Sequence, residues 1–186
     1  MTHIINPSIS DRQLQIIKGT ILGGSSIVKP LGGKNCYLSM RTKNDKWLEY
    51  KGSELFDFSS QAPFTIEKTN RWHSLCYPVF YTLRDKFYEG KKRKLTIDAL
   101  DNLRLKDVAF MIWFGDAGTY KKGIVTFNTN IWGKKGTENI SEYFSTLNYD
   151  SVVFKERKSY RVKLDEGSSL ALMTMIGPFL PHFFSC

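Results

Sequence analysis

A chain of 186 residues with 41 % apolar residues can bury one substantial core or two small ones, and no apolar run approaches the roughly eighteen residues that span a bilayer. Lys and Arg outnumber Asp and Glu by 27 to 18, and a net charge of +9 favours a polyanionic partner without saying which, against the plainer reading of a merely basic, soluble protein. The first residues lack both the basic start and the long apolar core of an export signal. Cys36, Cys76 and Cys186 match no metal-site spacing and fit a reducing compartment, so an intracellular chain is expected.

In chain order, Ser8 or Ser10 can cap a helix from Asp11 to Leu22, with Leu14, Ile17, Ile21 and Leu22 at helical spacing. Gly23 and Gly24 break it. Ser25 to Lys29 then reads as a strand, Pro30 to Asn35 as a turn, and Cys36 to Thr42 as the antiparallel partner, with Tyr37, Ser39 and Arg41 on its polar face. Asn44 or Asp45 caps a helix to about Phe56, and Phe58 to Pro63 is a polar connection. Phe64 to Thr69 and Trp72 to Tyr77 are expected to pair through a turn at Asn70-Arg71, with Phe64 and Ile66 on the apolar face. Pro78 opens a helix to Gly90. The cations Lys91 to Lys94 are either a solvated loop or a phosphate contact.

The second half repeats this plan. After a short helical turn at Thr96 to Leu100, Lys106 to Ala117 reads as a helix buried on most faces and stopped by glycine. Tyr120 to Gly123 reads as a basic turn, Ile124 to Thr129 as a strand, Asn130 to Gly136 as a loop, and Thr137 to Leu147 as a helix. Ser151 to Glu156 and Ser159 to Leu164 form the clearest hairpin, joined by Arg157-Lys158. Ser168 or Ser169 caps a last helix to Gly177. The two glycine breaks lie about ninety residues apart, so the order implies an α+β chain of two α-β-β-α-β-β-α units packed through their first helices. The units are placed at 8–92 and 93–186.

This layout resembles the LAGLIDADG homing endonuclease family in its single-chain, two-repeat form. The resemblance rests on KGTILGGSSI (residues 18–27), the strand NCYLSM (35–40), Glu49-Tyr50-Lys51, Phe87-Tyr88 before a lysine-rich turn, FMIWFGDAGTY (110–120), the TFNTN strand (126–130) and the closing IGPFLP. It implies two pseudo-symmetric αββαββα repeats whose antiparallel sheets form a saddle over the DNA major groove. A groove-facing sheet then presents Lys29, Lys34, Tyr37, Ser39, Arg41, Lys68 and Arg71 in one half, and Thr126, Asn128, Lys155, Arg157, Lys158, Arg161 and Lys163 in the other.

The family's chemistry uses an acid at the end of each motif helix to hold divalent metal, normally Mg²⁺. In this chain the resemblance puts Gly24 and Ala117 at those positions, with Asp116 one residue early. One residue on a helix is about 100° of rotation and about 1.5 Å of rise, so Asp116 is out of place for a metal with strict geometry. The expectation is a sequence-specific binder of double-stranded DNA, monomeric and catalytically inactive, with no metal cofactor; Asp116→Ala is then expected to change little. Other readings are an active Mg²⁺-dependent endonuclease rebuilt around Asp116 with Glu67 or Asp11, a cofactor that splices structured intron RNA, and a domain that binds a protein through the saddle.

Overall fold

The structure is a computed structural model that describes residues 7–59 and 61–184. Its first repeat runs α1 (Asp11–Leu22), β1 (Ser26–Val28), β2 (Tyr37–Thr42), α2 (Asp45–Glu54), β3 (Phe64–Ile66), β4 (Thr69–His73) and α3 (Pro78–Phe87). A small hairpin, β5 (Tyr88–Glu89) with β6 (Lys92–Arg93), and the short α4 (Ile97–Asp101) lead into the second repeat. That repeat runs α5 (Asp107–Ala117), β7 (Gly118–Lys121), β8 (Ile124–Asn128), α6 (Gly133–Thr146), β9 (Ser151–Glu156), β10 (Ser159–Leu164) and α7 (Glu166–Ile176). Each repeat builds one four-stranded antiparallel sheet, ordered β1-β2-β4-β3 and β7-β8-β10-β9. The strand order is the same in both, as two pseudo-symmetric αββαββα repeats require.

The two halves join through α1 and α5, which pack along their length. Ser10 starts α1 with a reciprocal cap to Gln13. Helix α5 has Ala109 through Phe114 buried in succession, because α1, α7 and its own sheet cover it from different sides. Gly19 sets the closeness of the crossing. A Cβ there would collide with the Ala109 carbonyl oxygen and lie 2.8 Å from Ile112 Cβ. Polar side chains tie the helix starts together: Gln15 donates to Arg104 O at 3.2 Å and accepts from Lys106 N at 2.9 Å, and Lys18 Nζ donates to Leu103 O at 2.6 Å. Burial lowers the Lys18 pKa.

Several sequence expectations need correction. The first hairpin turns at Glu67-Lys68, not Asn70-Arg71, and its second strand ends at His73. Glu67 and Lys68 both take positive φ, 49° and 61°, the pair a two-residue hairpin turn uses, and neither is the glycine or asparagine that signals it. Phe64 and Ile66 lie opposite Arg71 and Thr69, and Trp72 fills the core side in their place. Tyr88 to Arg93 is a hairpin rather than helix end and loop, and 118–121 is a strand rather than a turn. Helix α6 begins at Gly133, and Asp165, accepting from Ser168 N, caps α7 where Ser168 or Ser169 was expected. Cys36 is buried and Cys76 partly so; Cys186 lies outside the described residues.

Candidate nucleic-acid interface

Strand alternation fixes which side chains face away from the helices. In the first sheet Ile27, Leu38, Met40 and Trp72 point into the core, so Ser26, Val28, Tyr37, Ser39, Arg41, Arg71 and His73 share the outer face with Phe64 and Ile66. In the second, Val125, Phe127, Val162 and Leu164 are buried, leaving Thr119, Lys121, Thr126, Asn128, Arg161 and Lys163 outside beside Phe154 and Val152. This second face carries an open cleft of about 610 Å³ lined by Thr119, Lys121, Thr126, Phe154, Arg161 and Lys163 among others.

The registers match position for position. Phe64 opposes Arg71 and Phe154 opposes Arg161, each two positions from a two-residue turn; Ser39 opposes His73 where Thr126 opposes Lys163. The two faces differ in what surrounds these pairs. On the first, His73 packs against Tyr37 and Phe64, with ring centroids 5.4 and 5.3 Å away, and burial followed by the Arg71 charge lowers its pKa. On the second, Arg161 pairs with Glu156 at 2.8 Å.

Between the sheets lie the C-terminal ends of α1 and α5. The chain leaves α1 through Gly24 with φ of +119°, a conformation glycine adopts readily and L residues rarely. Arg93 closes this end: Nη2 donates to Gly24 O at 3.0 Å, Ser25 O at 2.8 Å and Ser26 Oγ at 3.0 Å, while the guanidinium lies near the Tyr88 and Trp132 rings. Burial lowers its pKa. So one cation of the Lys91 to Lys94 run is neither solvated nor free for phosphate; it is built into the fold.

At the end of α5, Asp116 turns toward α2. Its Oδ1 accepts from Trp47 Nε1 at 2.6 Å, and Lys51 Nζ reaches Oδ1 and Oδ2 at 2.6 and 2.8 Å. A side chain on Gly23 would collide with Asp116, so the α1 backbone presses directly on this carboxylate. The Ala117 side chain offers no ligand atom. Asp11 is at the far end of α1, about 18 Å of helix away, and pairs with Lys106; Glu67 is in a hairpin turn. Asp11 is therefore too far along α1 to share a metal with Asp116. Among the described residues no group of three or more His, Cys, Asp or Glu side chains could hold a metal ion. With both oxygens of Asp116 engaged by a cation and an indole, the residues at the helix ends do not fit a divalent metal.

A family model described as the LAGLIDADG DNA endonuclease family matches residues 14–172. The chain belongs to this family. Its fold is similar to that of the homing endonuclease I-WcaI bound to its DNA recognition sequence, with a TM-score of 0.87 at 17 % identity over 96 % of this chain and 86 % of that one. It is also similar to I-DmoI E117A in complex with its target DNA, with a TM-score of 0.58 at 11 % identity over 89 % of this chain and 93 % of that one. A third similar structure is full-length DUF199/WhiA from Thermatoga maritima, with a TM-score of 0.60 at 8 % identity, covering 96 % of this chain and 59 % of that one. No curated relative matches the chain by sequence.

On the LAGLIDADG saddle, the residues expected from sequence fall into three groups. Tyr37, Ser39, Arg41 and Arg71 share the outer face of the first sheet, and Thr126, Asn128, Arg161 and Lys163 that of the second. Lys34, Lys68, Arg157 and Lys158 are exposed in the turns that end the strands. Lys29 and Lys155 lie on the other side of their sheets. Lys29 follows β1 in phase with buried Ile27 and sets its ammonium over Tyr81 of α3, on the helix side. Lys155 opposes Tyr160, in phase with buried Val162. The sequence reading missed Thr119, Lys121, His73 and the two phenylalanines. Period-two alternation in 118–121 marks the first pair. The phenylalanines carry no signal, because an apolar strand residue reads as core.

Proposed function

We propose that the chain binds specific sequences of double-stranded DNA through the saddle and does not cleave them. The observation that carries this is the pairing of Asp116 with Lys51 and Trp47. The resemblance puts the family's metal-holding acids at Gly24 and Ala117, which have no side-chain ligand, and the one neighbouring acid is already neutralised by a buried ammonium. The backbone at Gly24 extends the argument. Its φ of +119° strains any L residue, so an acid cannot be put back there by side-chain replacement alone.

Like-charge repulsion points the same way. Two carboxylates against a backbone phosphate disfavour binding until a metal neutralises them. A glycine, an alanine and an ion-paired aspartate remove that cost, so metal-free affinity follows. The outer faces add Arg41, Arg71, Lys121, Arg161 and Lys163, long donors suited to phosphates and base edges. Two unlike repeats in one chain suit an asymmetric target bound by a monomer. Selection of bound duplexes from a random pool in EDTA tests the reading: recovery of one preferred sequence is expected, and a pool that stays random opposes it.

A further inference from the structure

The saddle faces are unusually apolar for surfaces that meet a polyanion. Val28, Phe64 and Ile66 lie on the outer face of the first sheet, and Ile124, Val152 and Phe154 on that of the second. Ile66 is 42 % and Val152 60 % exposed, so the core does not explain them. Phosphates and most base-edge atoms gain nothing from a phenyl ring. In the major groove of B-form DNA, the one strongly apolar group is the thymine C5-methyl.

Each phenylalanine stands directly opposite an arginine. Cross-strand partners on one face have Cβ atoms about 5 Å apart, close to the rise of one to two base steps. The Arg71 side chain makes no hydrogen bond or ion pair among the described residues, and its Nε is buried without a partner, as is Arg161 Nε. Resting on the reading that the saddle binds duplex DNA, we propose that Phe64 with Arg71, and Phe154 with Arg161, are two equivalent reading units. Each seats a thymine methyl against its phenyl ring and a neighbouring guanine on its guanidinium. The bound duplex then carries a thymine beside a guanine in each half, placed symmetrically about the centre.

The units are not identical in strength. In the second, Glu156 holds Arg161 at 2.8 Å, whereas the matching position in the first is Ile66. The Arg161 guanidinium must exchange Glu156 for guanine O6 and N7, so the second thymine–guanine step is read less strictly. RNA duplexes are rejected by the same surface, since uracil lacks the methyl and the A-form major groove is too narrow for the side chains.

The test uses the duplex recovered from the random pool, with each thymine replaced singly by deoxyuridine. This removes one methyl and leaves the protein unaltered. Affinity is expected to fall about three- to five-fold at one position in each half, and to change little elsewhere. In Phe64→Ala the penalty at one of those positions disappears, and in Phe154→Ala the other, the non-additivity expected of direct contact. Tight selective binding that is indifferent to every deoxyuridine overturns this inference while leaving DNA binding intact. A pool that yields no preferred duplex, or preferential capture of an RNA hairpin, removes both.

Discussion

Lys51 on α2 and Asp116 at the end of α5 form an ion pair across the two repeats, with the ammonium 2.6 and 2.8 Å from the carboxylate oxygens and the side chains 2 % and 9 % exposed. Trp47 completes the shell, and it also stacks on Tyr50 and meets Phe184 edge-on. The pair thus fastens the first repeat's second helix to the second repeat's first. Removing Asp116 leaves a buried lysine without its counter-charge. Asp116→Ala should therefore cost about 3–5 kcal/mol, where the sequence alone suggested little effect. Replacing both partners with apolar residues, Lys51→Met with Asp116→Leu, should recover most of that loss. Urea unfolding of the three variants measures it; an unaltered midpoint for Asp116→Ala would show that the pair holds nothing together.

Gly19 makes a second prediction. Since a Cβ there meets a backbone carbonyl of α5, Gly19→Leu should overpack the helix crossing and cost about 1–3 kcal/mol. Gly167, at the start of α7, where a Cβ would meet only Asp165 Oδ2 at 3.9 Å, is the control. Equal unfolding midpoints for Gly19→Leu and Gly167→Leu would mean that α1 and α5 do not cross as closely as described.

Helices α1 and α5 were legible because their ends and apolar spacing are local, whereas the starts of α6 and α7 were not. The ends of α1, and of α5 to within a residue, follow from Ser10, Gly23 and Gly118 without tertiary knowledge. The hairpin at Arg157-Lys158 was legible for the same reason, with clear alternation on both sides. Its counterpart was not, because apolar Phe64 and Ile66 stand on the outer face while Trp72 fills the core side, so the alternation misplaces the turn. The site was half visible. Alternation gave Ser39, Arg41 and Lys163, but only the packed structure shows Lys29 on the helix side, Arg93 folded onto Gly24, and Asp116 spoken for by Lys51. Those depend on residues tens of positions distant, which no local pattern encodes.

Base reading and phosphate binding separate in salt titrations. Arg71→Ala should remove about 1–3 kcal/mol of discrimination at one base pair and leave other sequences nearly unaffected. Lys68→Ala, in the exposed turn beside it, should weaken all duplexes alike and reduce the salt slope by about one unit. Identical behaviour of the two variants on every duplex would contradict a sheet that reads sequence.

His73 gives a pH signature. Burial, aided by Arg71, lowers its pKa, so the folded chain resists a proton that the unfolded chain accepts below about 6.5. Stability should fall as pH drops from about 6.5 toward the lowered value, then level off in this contribution. His73→Gln should flatten that part of the profile. Asp11 and Asp165, whose hydrogen bonds lower their pKa values, act in a separate, more acidic window: their contribution is present at neutral pH and is lost as the carboxylates protonate. Chemical denaturation across pH 5 to 7 (roughly the imidazole window) distinguishes the two, and an unchanged slope in His73→Gln would assign it elsewhere.

Binding by this saddle without metal and without strand scission can be measured directly. The direct measurement takes the preferred duplex and compares affinity in EDTA with affinity in millimolar Mg²⁺ or Mn²⁺ at matched ionic strength, then assays strand cleavage over hours. Matching matters because added divalent ions weaken phosphate contacts by competition alone. Equal affinity and intact strands are predicted. Metal-dependent cleavage by the unaltered chain, abolished by Asp116→Ala in a variant that still binds the duplex, would contradict the account and make Asp116 a catalytic residue.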